Sequence, residues 1–254
     1  MTLLVSVALF ILGAISASFA GVLAARLSTG QSFLFGRSFC DACAARLSPL
    51  ALVPIVSYAI SRGRSRCCAA RLSPLFPLSE ALLGALFVLA YAKLGLGLAL
   101  PLVLLALSLL LALVLNDLAH QILPTPLLAV FVALSAAALA ASAPSLSTFY
   151  DTLRIAVFIA AFLALIHFLS RGRAMGFADT PFAFGLALLT GPAAFPGLVF
   201  SFWIGACIGI ALLLARPAGS RMSSEVPFAP FLAAGFLLAY FTQWNPFFFV
   251  AILP

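Results

Sequence analysis

Charged residues are scarce in this chain of 254 residues. Only 7% of its positions carry Asp, Glu, Lys or Arg, whereas 65% are hydrophobic and the mean hydropathy is +1.26. A soluble domain has about 25% charged residues, because its surface must face water. Thirteen basic and six acidic side chains cannot cover a soluble protein of this length. The composition therefore excludes a soluble globule and indicates an integral membrane protein in contact with a lipid bilayer.

The chain also lacks the alternation of apolar and polar residues that is typical of the strands of a transmembrane barrel. Instead it has long apolar runs, several of which reach the ~20 residues that an α-helix needs to cross a bilayer. Pro, Gly and Arg separate about eight such runs, at 3–25, 76–92, 96–116, 122–142, 153–170, 180–194, 196–215 and 228–244. The sequence thus predicts an all-α, polytopic membrane helix bundle of about eight transmembrane helices.

The predicted organisation has three parts. A first transmembrane helix occupies residues 1–26, a cysteine-containing loop occupies 27–75, and a transmembrane core occupies 76–254. The first apolar run lacks a basic segment before it and is too long for the core of a signal peptide, so we expect it to be retained.

Basic residues are distributed unequally between alternate loops. With eight spans, eleven lie on one side, and Lys93 and Arg154 lie on the other. Such a bias is typical of cytoplasmic loops, so we expect the cysteine loop in the cytoplasm and both termini outside. The arginines are not interleaved with aromatic residues, and no nucleic-acid partner is expected. The eleven residues are Arg26, Arg37, Arg46, Arg62, Arg64, Arg66, Arg71, Arg171, Arg173, Arg216 and Arg221.

Four of the five cysteines lie in the predicted loop. Cys40 and Cys43 form a C-x-x-C pair, and Cys67 and Cys68 follow about 25 residues later. Two cysteine pairs at such a separation are typical of a structural zinc site, and a cytoplasmic loop favours metal over disulfides. The sequence predicts zinc bound by these four residues, and the alternative is a loop held only by turn hydrogen bonds. Cys207 lies in an apolar run, where we expect it to pack against neighbours.

The loop contains an internal repeat. Residues 43–50 recur letter for letter at 68–75, an offset of 25. The position 25 residues after Cys40 is Ser65, and serine is a poor zinc ligand. The loop is therefore predicted to be two copies of one turn unit, the second of which has lost a cysteine.

Two of the six carboxylates are expected at one membrane edge. Asp117 ends the apolar run 98–116, and Asp179 follows the arginines at 171 and 173. An ionisable residue at this depth is costly unless it has a function. If the two carboxylates face each other they share one proton, so that one accepts a proton from water while the other donates to a carbonyl oxygen. The alternative is two unrelated acids, each paired with an arginine.

Four other residues have expected roles, and two of them have open alternatives. Glu80, near the start of the second run, either interacts with the helix dipole or partners loop arginines. His120, three residues after Asp117, either tunes the proton affinity of the aspartates or is a polar residue at the interface. Gly176, beside Asp179, is expected to let a substrate backbone approach. His167 is expected to mark a membrane boundary.

Five segments in order resemble the motifs of the type IV prepilin peptidases. The aspartate segments carry the most specific likeness, because 117–124 resembles the first catalytic motif and Gly176-Phe177-Ala178-Asp179 resembles the second, G-x-G-D. The other segments are 13–19 with Arg26, the loop elements from Cys40 to Glu80, and 226–235. Four positions, Ser65, Thr125, Ala178 and Pro181, depart from the family pattern.

The resemblance implies a membrane aspartyl endopeptidase with Asp117 and Asp179 as its catalytic pair. The implied substrates are type IV prepilins or type II secretion pseudopilins, each with a short basic leader before an apolar helix. The implied place of cleavage is the cytoplasmic face of the bacterial inner membrane. Many family members also methylate the new N-terminus with S-adenosylmethionine. The alternatives are a catalytically impaired homologue that acts in pilus or secretion assembly and a proton-coupled transporter. No pattern indicates an oligomeric state.

Overall fold

A computed structural model describes residues 2–27, 39–40, 42–46, 48, 52–173, 175–215 and 227–246. Three arginines of the predicted cytoplasmic loops, Arg37, Arg216 and Arg221, lie outside this part of the chain. So does Val226, the first residue of the last family motif. Within it the protein is helical, and its β features are two isolated bridges, Phe39 with Arg46 and Arg64 with Arg71. The predicted all-α fold is therefore confirmed.

Nine α-helices follow one another along the described residues. Their bounds are α1 Thr2–Leu27, α2 Val56–Ile60, α3 Leu75–Leu94, α4 Ala99–His120, α5 Thr125–Ser142, α6 Leu146–Leu169, α7 Asp179–Thr190, α8 Ala194–Leu214 and α9 Ala229–Thr242. Eight of them are apolar and overlap the eight predicted runs, while α2 is a five-residue helix within the cysteine loop. A short 3-10 helix, Gly191–Ala193, separates α7 from α8.

Six stretches of the described chain are long and apolar enough to cross a membrane. The helices α1, α3, α4, α5 and α6 account for five of them, and 179–214 is the sixth, with 36 residues. A straight helix of that length would measure roughly 54 Å, well beyond the ~30 Å hydrocarbon core. Gly191, whose φ is 62°, breaks the stretch. The remaining apolar helix, α9, has 14 residues.

The chain divides into two compact units. The first comprises residues 1–100 and 104–120 and therefore holds α1, α2, α3 and most of α4. In it α1 packs along α3 through small residues, since Ala14, Ala17 and Ala20 are buried. Close helix contact through small side chains is the usual means of association in membranes, where lipid is as apolar as leucine.

Glu80 connects the cysteine loop to the helices of the first unit. Its Oε2 accepts a hydrogen bond of 2.6 Å from the backbone N–H of Ile55, and the hydroxyl of Ser18 on α1 also hydrogen-bonds to it. Glu80 is buried on α3. Glu80 is expected from the sequence to interact with the helix dipole or with loop arginines. Its carboxylate instead accepts a hydrogen bond from the loop backbone.

The second unit comprises residues 101–103 and 121–254 and centres on α7. Ten of the twelve residues of α7 are buried, and the helix packs against α5, α6 and α9. Phe182 of α7 meets Phe131 of α5 with ring centroids 5.8 Å apart. On α8, the Ser201 hydroxyl donates to the carbonyl of Leu232 on α9.

The start of α6 differs from the prediction. The helix begins at Leu146 rather than near 153, because Ser145 accepts a hydrogen bond from the N–H of Thr148 and caps it. Asp151 and Arg154 therefore lie on the helix as an exposed ion pair of 3.0 Å, and not in a loop.

We expect Gly13→Ala to destabilise the packing of α1 on α3. A Cβ at Gly13 would lie 2.8 Å from the Cα of Gly84 and the carbonyl oxygen of Leu83, both of which are backbone atoms. Overpacking of this kind costs about 1–3 kcal/mol, so the unfolding temperature in detergent should fall. Gly21→Ala on the same helix is the matched control, because no atom of the residues that the structure describes lies within 4 Å of its Cβ. Equal stability of the two variants would contradict the close approach.

Candidate functional site

The four cysteines of the loop converge in space as predicted. The sulphur atoms of Cys40, Cys43, Cys67 and Cys68 all lie within 4.8 Å of one another. Cys40 Sγ is 3.8 Å from Cys68 Sγ, and Cys43 Sγ is 3.2 Å from Cys67 Sγ. Four thiolates around a tetrahedral metal at 2.3 Å stand about 3.8 Å apart. The cluster therefore has the donors and the spacing to hold one metal ion.

Two turns of the same geometry carry the cluster. In the first, the N–H of Cys40 donates to the carbonyl of Ala45 at 2.9 Å, and the N–H of Ala44 donates to the carbonyl of Cys40 at 2.8 Å. In the second, Ser65 and Ala70 form the first of these bonds at 2.8 Å, and Ala69 donates back to Ser65 at 2.9 Å. The repeat predicted from the sequence is thus a repeat of structure.

Hydrogen bonds within the cluster shift the pKa values of two thiols, Cys40 and Cys43, in opposite directions. Hydrogen bonds from the Ser65 hydroxyl and from two backbone N–H groups of the turn lower the pKa of the Cys40 thiol to about 6. The N–H of Ala45 lowers the pKa of Cys43, but the Cys67 thiol and burial outweigh it and raise that pKa to about 12. Crowded thiols resist becoming thiolates together, and a divalent cation relieves this repulsion.

The fifth cysteine does not join the cluster. Cys207 lies on α8 with an exposed side chain. The expectation that it packs against protein neighbours is not met within the described part of the chain, where its side chain is exposed. Cys207 therefore serves as a reference thiol for experiments on the other four.

Asp117 lies in the last turn of α4. It is 6% exposed, and its neighbour Asn116 is 2% exposed. The helix ends at His120, and Gln121 follows with a φ of 55°. His120 is exposed, although it stands three residues after the buried Asp117.

Asp179 begins α7, where it is 7% exposed. Its N–H donates to the carbonyl of Gly176 at 3.2 Å, which closes the turn before the helix. A Cβ at Gly176 would lie 3.6 Å from Asp179 Oδ2, an ordinary contact, and it would meet no other described residue within 4 Å. Gly176 and Phe177 are exposed, so the turn presents an accessible backbone beside a buried carboxylate.

The departures at Ala178 and Pro181 fit the local backbone. Ala178 has a φ of −64° and a ψ of −22°, helical angles that do not require glycine. Pro181 is the third residue of α7, in the first turn, where a backbone N–H has no partner within the helix. Neither residue distorts the start of the helix that carries Asp179.

His167 fixes the loop before Asp179. Its Nδ1 lies 2.9 Å from the carbonyl oxygen of Met175, which acts as the acceptor, and its ring contacts those of Phe168 and Phe177 at 5.5 Å. The loop turns at Arg171 and Gly172, which have φ of 52° and 76°. The predicted boundary role of His167 is therefore too limited, because this side chain also holds the segment that leads to Asp179.

The two aspartates belong to different units. Asp117 lies in the first and Asp179 in the second, each buried at the end of a helix. Their predicted pairing stays a prediction. Sequence reasoning did not find the Glu80–Ile55 bond or the His167–Met175 bond, since in both cases one partner is a backbone group that no residue type signals.

The chain is similar to known proteins along most of its length. Residues 11–94 match the family model described as Bacterial Peptidase A24 N-terminal domain. Over 237 residues the chain is 33% identical to a Prepilin leader peptidase/N-methyltransferase of Bacillus subtilis (strain 168), covering 91% of this chain and 92% of that protein. A protein of the same name from Myxococcus xanthus (strain DK1622) is 33% identical over 225 residues, 86% of this chain and 66% of that protein. No solved structure matches the chain.

Together the apolar helices and the cysteine cluster indicate a multi-pass membrane protein with a loop that could hold a metal ion. The chain belongs to the type IV prepilin peptidase family. This membership confirms the resemblance drawn from the motifs.

We expect His167→Phe to loosen the loop that leads to Asp179. Phenylalanine keeps a ring against Phe168 and Phe177 but removes the hydrogen bond to Met175, so the loop loses its polar anchor. Hydrogen–deuterium exchange should then be faster at the amides of residues 175–179, whereas the middle of α6 should be unchanged. Unchanged exchange at 175–179 would show that His167 does not hold this segment.

Proposed function

We propose that the protein is a membrane-embedded aspartyl endopeptidase that removes the leader from type IV prepilins or type II secretion pseudopilins. The observation that carries the proposal is the burial of Asp117 and Asp179 at helix ends in a chain of this family. A carboxylate is rarely enclosed in an apolar helix bundle without a function. The relatives are named prepilin leader peptidases, which supports the substrate class.

The proposed mechanism uses the two aspartates as one acid–base pair. Two carboxyl groups that face each other hold a single proton. The ionised member accepts a proton from water as that water attacks the scissile carbonyl carbon. The protonated member donates to the carbonyl oxygen. Collapse of the tetrahedral intermediate returns a proton to the leaving amide nitrogen, so no covalent enzyme intermediate forms.

Membrane topology supports a common face for the two aspartates. Two predicted spans, α5 and α6, separate the end of α4 from the start of α7, and an even number of crossings returns the chain to the same side. The arginine bias assigns that side to the cytoplasm. We propose that the cysteine loop also lies there, in a multi-pass protein of the bacterial inner membrane.

The start of α7 is suited to an extended substrate. Gly176 and Phe177 leave the backbone accessible beside Asp179, and Ala178 adds only a methyl group. In the proposal the substrate's apolar helix lies in the bilayer and its basic leader lies in the cytoplasm. The scissile bond then comes to the membrane edge, where the helix ends and the peptide is extended.

Zinc is the metal that we propose for the cysteine cluster. Four thiolates with the spacing observed favour Zn²⁺ in a closed structural site, which would hold the loop together. The proposed ligands are Cys40, Cys43, Cys67 and Cys68, and no step of peptide hydrolysis involves them.

A second candidate activity is methylation of the new N-terminus with S-adenosylmethionine. The names of both relatives include N-methyltransferase, which favours it. The chain shows no glycine-rich nucleotide loop. The mass of the cleaved product tests this activity, because transfer adds one methyl group only when S-adenosylmethionine is supplied.

We expect Asp117→Asn and Asp179→Asn each to abolish cleavage of a prepilin by the purified protein in proteoliposomes. Each variant removes one member of the acid–base pair, which should cost about 10²–10⁴-fold or more in rate. The double variant should be no slower than either single one, since the pair acts as a unit. The shortened product is measured by gel and by mass spectrometry.

Asp151→Asn is the matched control for these variants. Asp151 is exposed and paired with Arg154 on α6, so its replacement should leave cleavage unchanged. Full activity in either catalytic variant would overturn the aspartyl mechanism. A wild-type protein that inserts normally but cleaves no precursor would instead favour the assembly-protein alternative.

We expect the purified protein to contain one zinc per chain by elemental analysis. Cys40→Ser should lose it, whereas Cys207→Ser should keep it, because Cys207 lies outside the cluster. Acidification should also release the metal, since thiols must be deprotonated to bind it. Equal zinc in wild type and Cys40→Ser would contradict the assignment of the ligands.

A further inference from the structure

The two turns of the loop are related by a constant offset of 25 residues, and Cys67 does not fit this offset. Cys40 and Cys43 of the first turn correspond to Ser65 and Cys68 of the second, 25 residues later. The left-handed alanines Ala44 and Ala69, each with a φ of 56°, share this offset. Cys67 therefore occupies the place that Ala42 has in the first turn. The fourth thiol of the cluster comes from a position that holds no thiol in the other copy.

The hydroxyl of Ser65 lies between the two turns. Its Oγ is 3.0 Å from Cys67 Sγ and 3.3 Å from Cys40 Sγ, and Ser65 is 7% exposed. A thiolate that binds a metal is only an acceptor, so a hydroxyl at this distance becomes the donor. Ser65 replaces a cysteine of the pattern, yet its oxygen stays in contact with one thiol from each turn.

We propose that Ser65 is a positioning residue for the metal centre, whose hydroxyl holds the out-of-register Cys67 sulphur in the fourth ligand position. The inference rests on the proposed zinc site. It goes beyond that site because it explains why the cluster keeps four sulphur ligands although one cysteine of the repeat is absent.

Two physical reasons support this role. First, Cys67 lies beside Cys68 in the chain, and two adjacent ligands need a distorted turn to reach one ion. A hydrogen bond from Ser65, two residues before Cys67, restricts the side chain to the rotamer that points at Cys43 Sγ, 3.2 Å away. Second, four thiolates leave a divalent ion with a net negative charge, which donors outside the ligand set stabilise.

The test compares zinc retention in four variants of the full-length protein in detergent. Ser65→Ala should still bind one zinc but release it to a competing chelator with an affinity about 10–100-fold weaker, the usual effect of losing such a supporting bond. Ser65→Thr keeps a hydroxyl and should retain most of the affinity. Cys67→Ala should lose a ligand. Ser65→Cys combined with Cys67→Ala rebuilds a regular C-x-x-C and should bind zinc again.

Cobalt substitution gives a second readout that loss of folding would not imitate. The intensity of the thiolate-to-cobalt absorption counts the sulphur ligands, so Ser65→Ala should keep the intensity of the wild type and Cys67→Ala should lower it. Removing a donor to sulphur should also shift the band of Ser65→Ala to lower energy. Ser48→Ala is the matched control, because Ser48 is an exposed serine of the first turn's segment.

The zinc site and the positioning role of Ser65 are contradicted by different results. Absence of zinc from the wild type would overturn the zinc site itself. One zinc in the wild type, with the same chelator competition and band position in Ser65→Ala, would overturn only the role of Ser65. Unchanged binding in Cys67→Ala would show that Cys67 is not a ligand, and equal loss in Ser65→Ala and Ser65→Thr would show that the hydroxyl is not the cause.

Discussion

Hydrocarbon cannot hydrogen-bond to a peptide group, and this constraint shapes the rest of the molecule. Every backbone N–H and C=O within the bilayer must be paired inside a helix, so irregular chain is confined to helix ends and to the extramembrane loop. The buried aspartates stand at such ends, Asp117 in the last turn of α4 and Asp179 in the first residue of α7. Helix ends are the places where polar chemistry and the membrane edge coincide.

The cysteine loop is held together differently, because Cys40 is the only hydrophobic side chain that is buried among the described residues of the loop. Two copies of one turn bring four sulphur atoms together, and Glu80 on α3 accepts a hydrogen bond from the backbone N–H of Ile55. Ile55 has a φ of 60°, which is rare for a β-branched residue. The carboxylate therefore stabilises a backbone conformation that the isolated segment would avoid.

The sequence predicted the parts of this structure that depend on run length and spacing. Eight apolar helices follow from eight runs, and the meeting of Cys40, Cys43, Cys67 and Cys68 follows from the spacing of the two cysteine pairs. The start of α6 was missed because its first turns are polar and capped by Ser145, so apolarity alone does not reveal them. The contacts of Glu80, His167 and Ser65 depend on how turns fold back in space, which residue types do not specify. The pairing of the aspartates stays a prediction from motif and topology.

The shortness of α7 has a consequence for biogenesis. Its twelve residues measure about 18 Å, well below the ~30 Å of hydrocarbon, and ten of them are enclosed by protein. Such a segment is too short to cross the bilayer by itself. Its stable insertion therefore depends on the neighbouring helices that enclose it, and not on its own length.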